Sequence, residues 1–245
     1  MKFILNSFFL IYLRFKVTLL RLIEYFCEIK NYYSKFIFLK VDLSLLSLYI
    51  FQNPFRICKR FFIQEGKKEG HVYGETALFI LETLATKCPI TSKDLFFELG
   101  CGRARSCFWL ALFTGCQVVG VEKVPAFIHK AQKIKAKFGL TSVEFRCEDF
   151  FSTDLSGGTI YYLYQTCLSE EEIAALIKRL IELPTTAKIV TVSYALNEFD
   201  RGKNQFVTVD QFEANFLWGK AQIFIQQRVG KVDKIAALST VPFKD

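Results

Sequence analysis

Histidine is almost missing from this 245-residue chain, which holds only His71 and His129, with one methionine and five prolines. Two histidines far apart, with no paired cysteines beside them, cannot assemble the usual zinc patterns, so no metal centre is expected. Eight cysteines are present (Cys27, Cys58, Cys88, Cys101, Cys107, Cys116, Cys147 and Cys167), yet no C-x-x-C pair occurs among them. A chain of this size does not depend on a disulfide scaffold, and these cysteines read as reduced thiols in a cytoplasmic protein. Internal repeats and low-complexity tracts are absent too. So is any apolar run long enough to cross a bilayer core of about 30 Å: the first uncharged run, Phe3 to Leu13, is too short, and the later apolar run, Leu43 to Phe51, is shorter still. Arg14, Phe15 and Lys16 follow the first run in place of a small-residue cleavage site, which argues against a signal peptide.

What is there is an excess of positive charge, and it is unevenly placed. The formal net charge is +8; residues 1–70 hold 12 Lys or Arg against 5 Asp or Glu, whereas residues 71–245 hold 20 against 19. The basic character therefore belongs to the N-terminal third. In that third Arg14, Arg21, Glu24 and Glu28 recur at helical spacing on one side, leaving a wide apolar face opposite. An apolar face of that width is not left in water. Three covers are open: the rest of the protein, a second copy of the chain, or an anionic membrane surface, which would make the protein cytoplasmic and peripheral on the inner face of a membrane. Asn53 and Pro54 break the apolar run, and Gly66 and Gly70 bracket a charged linker. The expected organisation is a helical, basic extension over residues 1–65, a main domain over 66–230 and a tail over 231–245.

From Ala77 onward the chain alternates in kind. A helix over Ala77–Ala85 is followed by the strand LFFEL, a helix over Arg103–Phe113, the strand QVVGVE and a helix over Pro125–Phe138 opened by proline. SVEFRCE, TIYYLY and AKIVTVSYAL read as further strands, with a helix headed by the capping box Ser169 to Glu172 before the last. Strands alternating with helices mean a doubly wound α/β domain with a parallel sheet. The end departs from this: FVTVDQFEANF and KAQIFIQQRV are joined too tightly for a crossover helix, so they pair antiparallel.

Ligands of such a sheet bind beyond the carboxyl ends of the strands, at the loop after the first one. That loop is FFELGCGRARSCF. Gly100 and Gly102 allow a sharp turn and close approach of a ligand, and the first amides of the next helix face it. A dinucleotide fingerprint would need glycine at position 105, where Arg105 stands. Glu98 is placed for the ammonium end of a ligand and Glu122, at the tip of the second strand, for ribose hydroxyls. Asp149 at the tip of the third strand can accept from an adenine amino group, with Phe150 against the ring and Glu148 as the competing acid. Ammonium, ribose and adenine in that order describe S-adenosylmethionine.

With these motifs the chain resembles the class I S-adenosylmethionine-dependent methyltransferases over roughly Tyr73 to Arg228. FFELGCGRA is similar to the family's E/D-x-G-x-G-x-G loop, with Ala104 in place of the last glycine, and VVGVEK and CEDF are similar to its ribose and adenine motifs. The resemblance implies a Rossmann-like seven-strand sheet ending in the antiparallel hairpin, with S-adenosyl-L-methionine as cofactor. Within the family the likeness runs to the seven-strand protein-lysine methyltransferases, both the non-SET histone enzymes and those acting on the ATP synthase c subunit. It implies that Tyr73, Glu75 and Thr76 of VYGET close over the methionine end of the cofactor, although Thr76 could equally start the next helix. YYLYQTCLSE departs from the histone enzymes' asparagine-containing loop and looks more like the c-subunit branch. Tyr164 and Gln165 would then sit beside the transferred methyl group, and Tyr194 would wall the acceptor channel.

The expected function is methyl transfer to a protein lysine. RNA or small-molecule methylation, and a non-catalytic membrane-associated module that keeps the cofactor fold, are the alternatives; nucleic acid stays open as a partner because of the basic N-terminal third. Thr166-Cys167 resembles the nucleophile pair of RNA cytosine-C5 methyltransferases, but their Pro-Cys motif is absent, and no N-P-P-Y or D-P-P-Y is present.

Overall fold

The computed structural model describes residues 2–66, 73–164 and 168–230. Three helices come first: α1 (Lys2–Tyr32), α2 (Phe36–Ser47) and α3 (Pro54–Gln64). The main domain then runs α4 (Leu78–Lys87), β1 (Leu95–Leu99), α5 (Arg105–Thr114), β2 (Gln117–Val121), α6 (Pro125–Phe138), β3 (Val143–Arg146), β4 (Ile160–Leu163), α7 (Glu170–Leu180), β5 (Lys188–Val192), β6 (Phe206–Phe216) and β7 (Gly219–Arg228). His71, Gln165, Thr166, Cys167 and the tail from 231 lie outside the described residues.

Local chemistry explains why these segments form these elements. Four of the five residues of β1 are buried, as are four of the five of β2, the continuous apolar pattern of a parallel strand covered on both faces. Pro125 opens α6, and Gly139 closes it at φ +61°, where a residue without Cβ suits the left-handed cap. Ser169 accepts from the Glu172 amide while the Glu172 side chain accepts from the Ser169 amide, the capping box that starts α7.

The seven strands form one sheet in the order β3-β2-β1-β4-β5-β7-β6. β1 pairs in parallel with both β2 and β4, so the strand order reverses between β1 and β4 and opens a crevice at their carboxyl ends. β7 inserts antiparallel between β5 and β6. Phe96, Phe108, Leu110 and Phe127 fill one face of the sheet, and Phe97, Tyr161, Leu176 and Ile189 the other.

The extension is tied to this domain. Phe38, Val41 and Leu45 of α2 are fully buried, with α2 against α5 and α6. Tyr32 of α1 meets the rings of Trp109 and Phe113 edge-on at 5.7 and 5.6 Å. Polar contacts fix it further. Arg105 donates from Nη1 to Glu28 of α1 at 2.8 Å, and from Nε and Nη2 to the two carboxylate oxygens of Asp42 in α2 at 2.8 and 2.7 Å. The other oxygen of Glu28 accepts from the Leu78 amide at 3.2 Å. That capping comes from 50 residues upstream, because the N-cap residue Ala77 has no side chain to offer.

Of the three covers open for the apolar face of α1, the structure removes one, the rest of the protein. Glu28 does not lie on a solvated polar side: it is buried, and the side of α1 carrying Arg21, Glu24 and Glu28 faces the main domain. The apolar residues Phe15, Leu22 and Phe26 face outward. The physical reason is Arg105, whose guanidinium would be buried without a partner unless the acids turned toward it.

Replacing Arg105 by alanine leaves Glu28 and Asp42 buried and unpaired, and is expected to cost about 3–5 kcal/mol in unfolding free energy measured by urea titration. A triple variant Glu28→Gln, Asp42→Asn, Arg105→Met should recover most of that loss.

Candidate functional site

At the crevice between β1 and β4 the chain leaves β1 through Gly100 and Gly102, with φ of +90° and +51°. Both lie in the left-handed region, where glycine is favoured. Gly102 has a second reason to lack a side chain, since a Cβ there would stand 2.9 Å from the Tyr73 ring. Ala104 adopts φ +63° at the start of α5, a conformation that costs an L-residue about 1–2 kcal/mol. This is the position where the family's loop has its last glycine, and alanine holds the same backbone shape under strain.

Three acids line the cavities at this crevice: Glu98 the larger one, Glu122 and Asp149 the smaller. Glu98 is 6% exposed and accepts from Ser106 Oγ at 2.5 and 2.7 Å and from Cys107 Sγ at 3.0 Å. Burial pushes its carboxyl up to about 7 against the pull of those hydrogen bonds. A cationic group arriving beside it would restore the charged form. Glu122 accepts from the Gly102 and Val124 amides, each at 2.9 Å, which fixes both carboxylate oxygens at the mouth of the glycine loop. Burial raises its carboxyl while these amides lower it. Asp149 accepts from the Phe151 amide at 3.0 Å and lies 3.3 Å from Lys123 Nζ, which also reaches Glu65, just past α3, at 3.5 Å. Glu148, the competing acid, turns away to the Thr153 hydroxyl.

Two cavities meet at this loop. The smaller, about 150 Å³, is lined by Gly100, Gly102, Glu122, Asp149, Phe150 and Phe151 among others, which sets two carboxylate acceptors beside an aromatic pair. The larger, about 670 Å³, begins at Glu98, Gly100 and Thr76 and extends between the hairpin and the N-terminal helices. Tyr73, Gly74, Gly100, Leu99 and Tyr164 line both. Tyr49 lines the larger one, although its hydroxyl is itself closed to solvent and has no hydrogen-bond partner among the described residues. The fit to S-adenosylmethionine is therefore good: glycines where a Cβ would intrude, carboxylates at both ends, and an aromatic pair for the base.

The VYGET residues are brought together at the junction. Glu75 holds a two-pronged ion pair with Arg103, at 2.5 and 2.6 Å, and the Tyr73 hydroxyl donates to Glu75. Arg103 in turn lies 5.1 Å over the Tyr49 ring of the extension. The Thr76 hydroxyl is 2.6 Å from that of Tyr162, and α4 starts at Leu78 with Ala77 as its cap, so Thr76 does not start the helix and lines the larger cavity. Tyr164 receives a hydrogen bond from Trp218 at the tip of the hairpin and packs edge-on to Phe216 at 5.6 Å. Gln165 lies outside the described residues. Tyr194 lines neither cavity; it packs edge-on to Phe199 at 5.6 Å in the second core.

Sequence reasoning missed the wall supplied by Arg21, Glu24, Tyr25 and Tyr49 of the extension and by Trp218. The helical stripe of Arg21, Glu24 and Glu28 was the available signal, but nothing in it says which way the helix faces.

This sheet order, with the β7 and β6 hairpin and the glycine loop between two acids, is the fold of the class I S-adenosylmethionine-dependent methyltransferases. Residues 90–182 match a family model described as a methyltransferase domain, a domain whose cofactor is S-adenosylmethionine. Among curated proteins the chain is similar to the sterol 24-C-methyltransferase of Eremothecium gossypii, 35% identical over 88 residues, which are 34% of this chain and 24% of that protein. The Saccharomyces cerevisiae sterol 24-C-methyltransferase is 33% identical over a stretch of the same length, again 34% of this chain and 23% of that one. The chain thus spans about a quarter of the length of these relatives. Among solved structures, an RNA methyltransferase from Salinibacter ruber with bound S-adenosyl-L-homocysteine superposes with a TM-score of 0.52 at 21% identity, covering 69% of this chain and 97% of that one. The B. subtilis tRNA methyltransferase TrmK gives a TM-score of 0.51 at 14% identity, over 66% of this chain and 70% of that one. At these identities the structures testify to the fold.

Replacing Glu122 by alanine removes a charged acceptor in the smaller cavity. Cofactor affinity measured by calorimetric titration is expected to fall about tenfold or more, the loss of a hydrogen bond to a charged group; unchanged affinity would refute the ribose assignment.

Proposed function

We propose that the protein transfers a methyl group from S-adenosylmethionine to the amine of a protein lysine. The observation that carries this reading is the larger cavity. Its lining includes the aromatic residues Tyr25, Tyr49, Tyr162, Tyr164 and Trp218 beside the arginines Arg21, Arg103 and Arg105, and it also presents Glu24, a carboxylate with no hydrogen bond or ion pair among the described residues. Aromatic walls exclude water and favour the neutral form of an amine, the form that can act as a nucleophile. An acid among them suits an acceptor that arrives as an ammonium ion.

The cofactor supplies an activated methyl on a sulfonium, a good leaving group, so most of the catalysis falls to positioning, worth about 7–11 kcal/mol in well-oriented reactions. In this reading Glu98 and Glu122 hold the two ends of the cofactor, Asp149 and Phe150 take its base, and Tyr73 with Glu75 and Thr76 closes over its methionine end. Tyr164, with Gln165 following it, orients the acceptor, and Glu24 draws in the ammonium and accepts its proton. Burial, then the Glu28 carboxylate, raise Glu24 to about 7 against the pull of Arg105, with Glu75 raising it and Arg21 lowering it. Above that pH the carboxylate is charged and ready to receive a proton; below it, it is already protonated.

The likeness to sterol methyltransferases favours a second reading, a small-molecule acceptor. The deciding experiment is transfer of labelled methyl into a fractionated extract of the source cell, with a Glu98→Ala, Glu122→Ala double variant as blank. Label in a protein that hydrolyses to methyl-lysine supports the proposal. Label confined to RNA or small molecules overturns the lysine assignment, and no label with the cofactor still bound favours a non-catalytic module.

At saturating cofactor, kcat/KM toward an amine acceptor should rise with pH through about 7. Glu24→Gln should remove that inflection and lower the rate about a hundredfold, in the range of a lost general base. A retained inflection would remove Glu24 from the mechanism.

A further inference from the structure

α1 is inside out for a surface helix. At 3.6 residues per turn, Phe15, Leu19, Leu22, Phe26 and Ile29 fall on one side, and that side is the exposed one: Phe15 is 68%, Leu22 63% and Phe26 73% exposed. Tyr12 and Ile23 widen the stripe to about 120°, broader than the two-in-seven seam of a coiled coil. The charges complete the pattern. Lys16 borders the apolar stripe and Lys30 falls within it near the helix end, both exposed. Both acids of the helix, Glu24 and Glu28, lie on the opposite side against the cavity and Arg105. Asp42 of α2 is withdrawn from the surface by the same arginine. The outward face of α1 thus combines exposed apolar and aromatic side chains with positive charge and no negative charge, and among the described residues no helix is long and apolar enough to cross a membrane.

We propose that this face binds an anionic membrane surface, with α1 lying in the headgroup layer and its polar side remaining on the protein. Charge complementarity selects the occupant: a second copy would bring the same lysines together, whereas anionic lipid neutralises them. The width of the stripe agrees, since a lipid layer accepts a broad face that one partner helix would leave partly bare. In this arrangement the wall of the larger cavity formed by Arg21, Glu24 and Tyr25 lies on the far side of α1 from the lipid. The site would then work close to the bilayer, on acceptors held there.

The test is sedimentation of the intact chain with vesicles of phosphatidylcholine containing phosphatidylglycerol, beside vesicles of phosphatidylcholine alone. Binding is expected to the anionic vesicles, weaker to neutral ones and weakened by salt. Phe15→Ser with Phe26→Ser, or Lys16→Glu with Lys30→Glu, should each reduce the partition coefficient about tenfold or more. These side chains point to solvent, and unchanged S-adenosylmethionine affinity in each variant confirms that the fold and cofactor site are intact. No binding at low salt, or equal binding by wild type and variants, would overturn the proposal. So would a dimer in sedimentation velocity that Phe15→Ser with Phe26→Ser dissolves without any vesicle binding, which would assign the face to a second copy.

Discussion

The buried guanidinium of Arg105 organises the N-terminal half of the molecule. It stands at the first position of α5, immediately after the glycine loop, and reaches out of the main domain to carboxylates on two helices of the extension. A charge so placed has to be paired, because its desolvation would otherwise cost several kcal/mol. The pairing sets the rotation of α1 and seats α2. Through the second oxygen of Glu28, it also caps α4, whose own N-cap residue is an alanine.

From that clamp follows the shape of the site. With α1 held by Glu28, the residues one and two turns earlier, Glu24 and Arg21, come to the wall of the larger cavity. Tyr49, just beyond α2, sits under Arg103, which is itself locked to Glu75. The glycine loop, the VYGET segment and the extension are therefore one connected network, and the extension is a structural part of the wall of the larger cavity. The nucleoside side is simpler. Glu122, Asp149 and Phe150 stand at the ends of consecutive parallel strands or just past them, where the topology of the sheet alone brings them to a common edge.

That contrast explains how much was legible in the residues. Gly100, Gly102, Glu98, Glu122 and Asp149 could be placed at the crevice in advance because each is a short, fixed distance from a strand end, and parallel pairing converts sequence position into place. The choice between Asp149 and Glu148 needed coordinates, since adjacent side chains at a strand end point in different directions and Glu148 is taken by Thr153. Tyr194 also follows a strand, yet it turns into the second core beside Phe199, because the loop after β5 folds back onto that face.

The sequence by itself determined the alternating α/β plan, the antiparallel ending, the glycine loop and the acids at the ends of the first three strands, all of which rest on local periodicity and spacings of a few residues. It also showed that α1 has a polar side and an apolar side. Only the tertiary structure decided which side faces the protein, which acids meet Arg105 and that Glu24 borders the larger cavity. Those outcomes depend on contacts between residues more than 60 positions apart, and a helical period records that two faces differ without recording what lies against either.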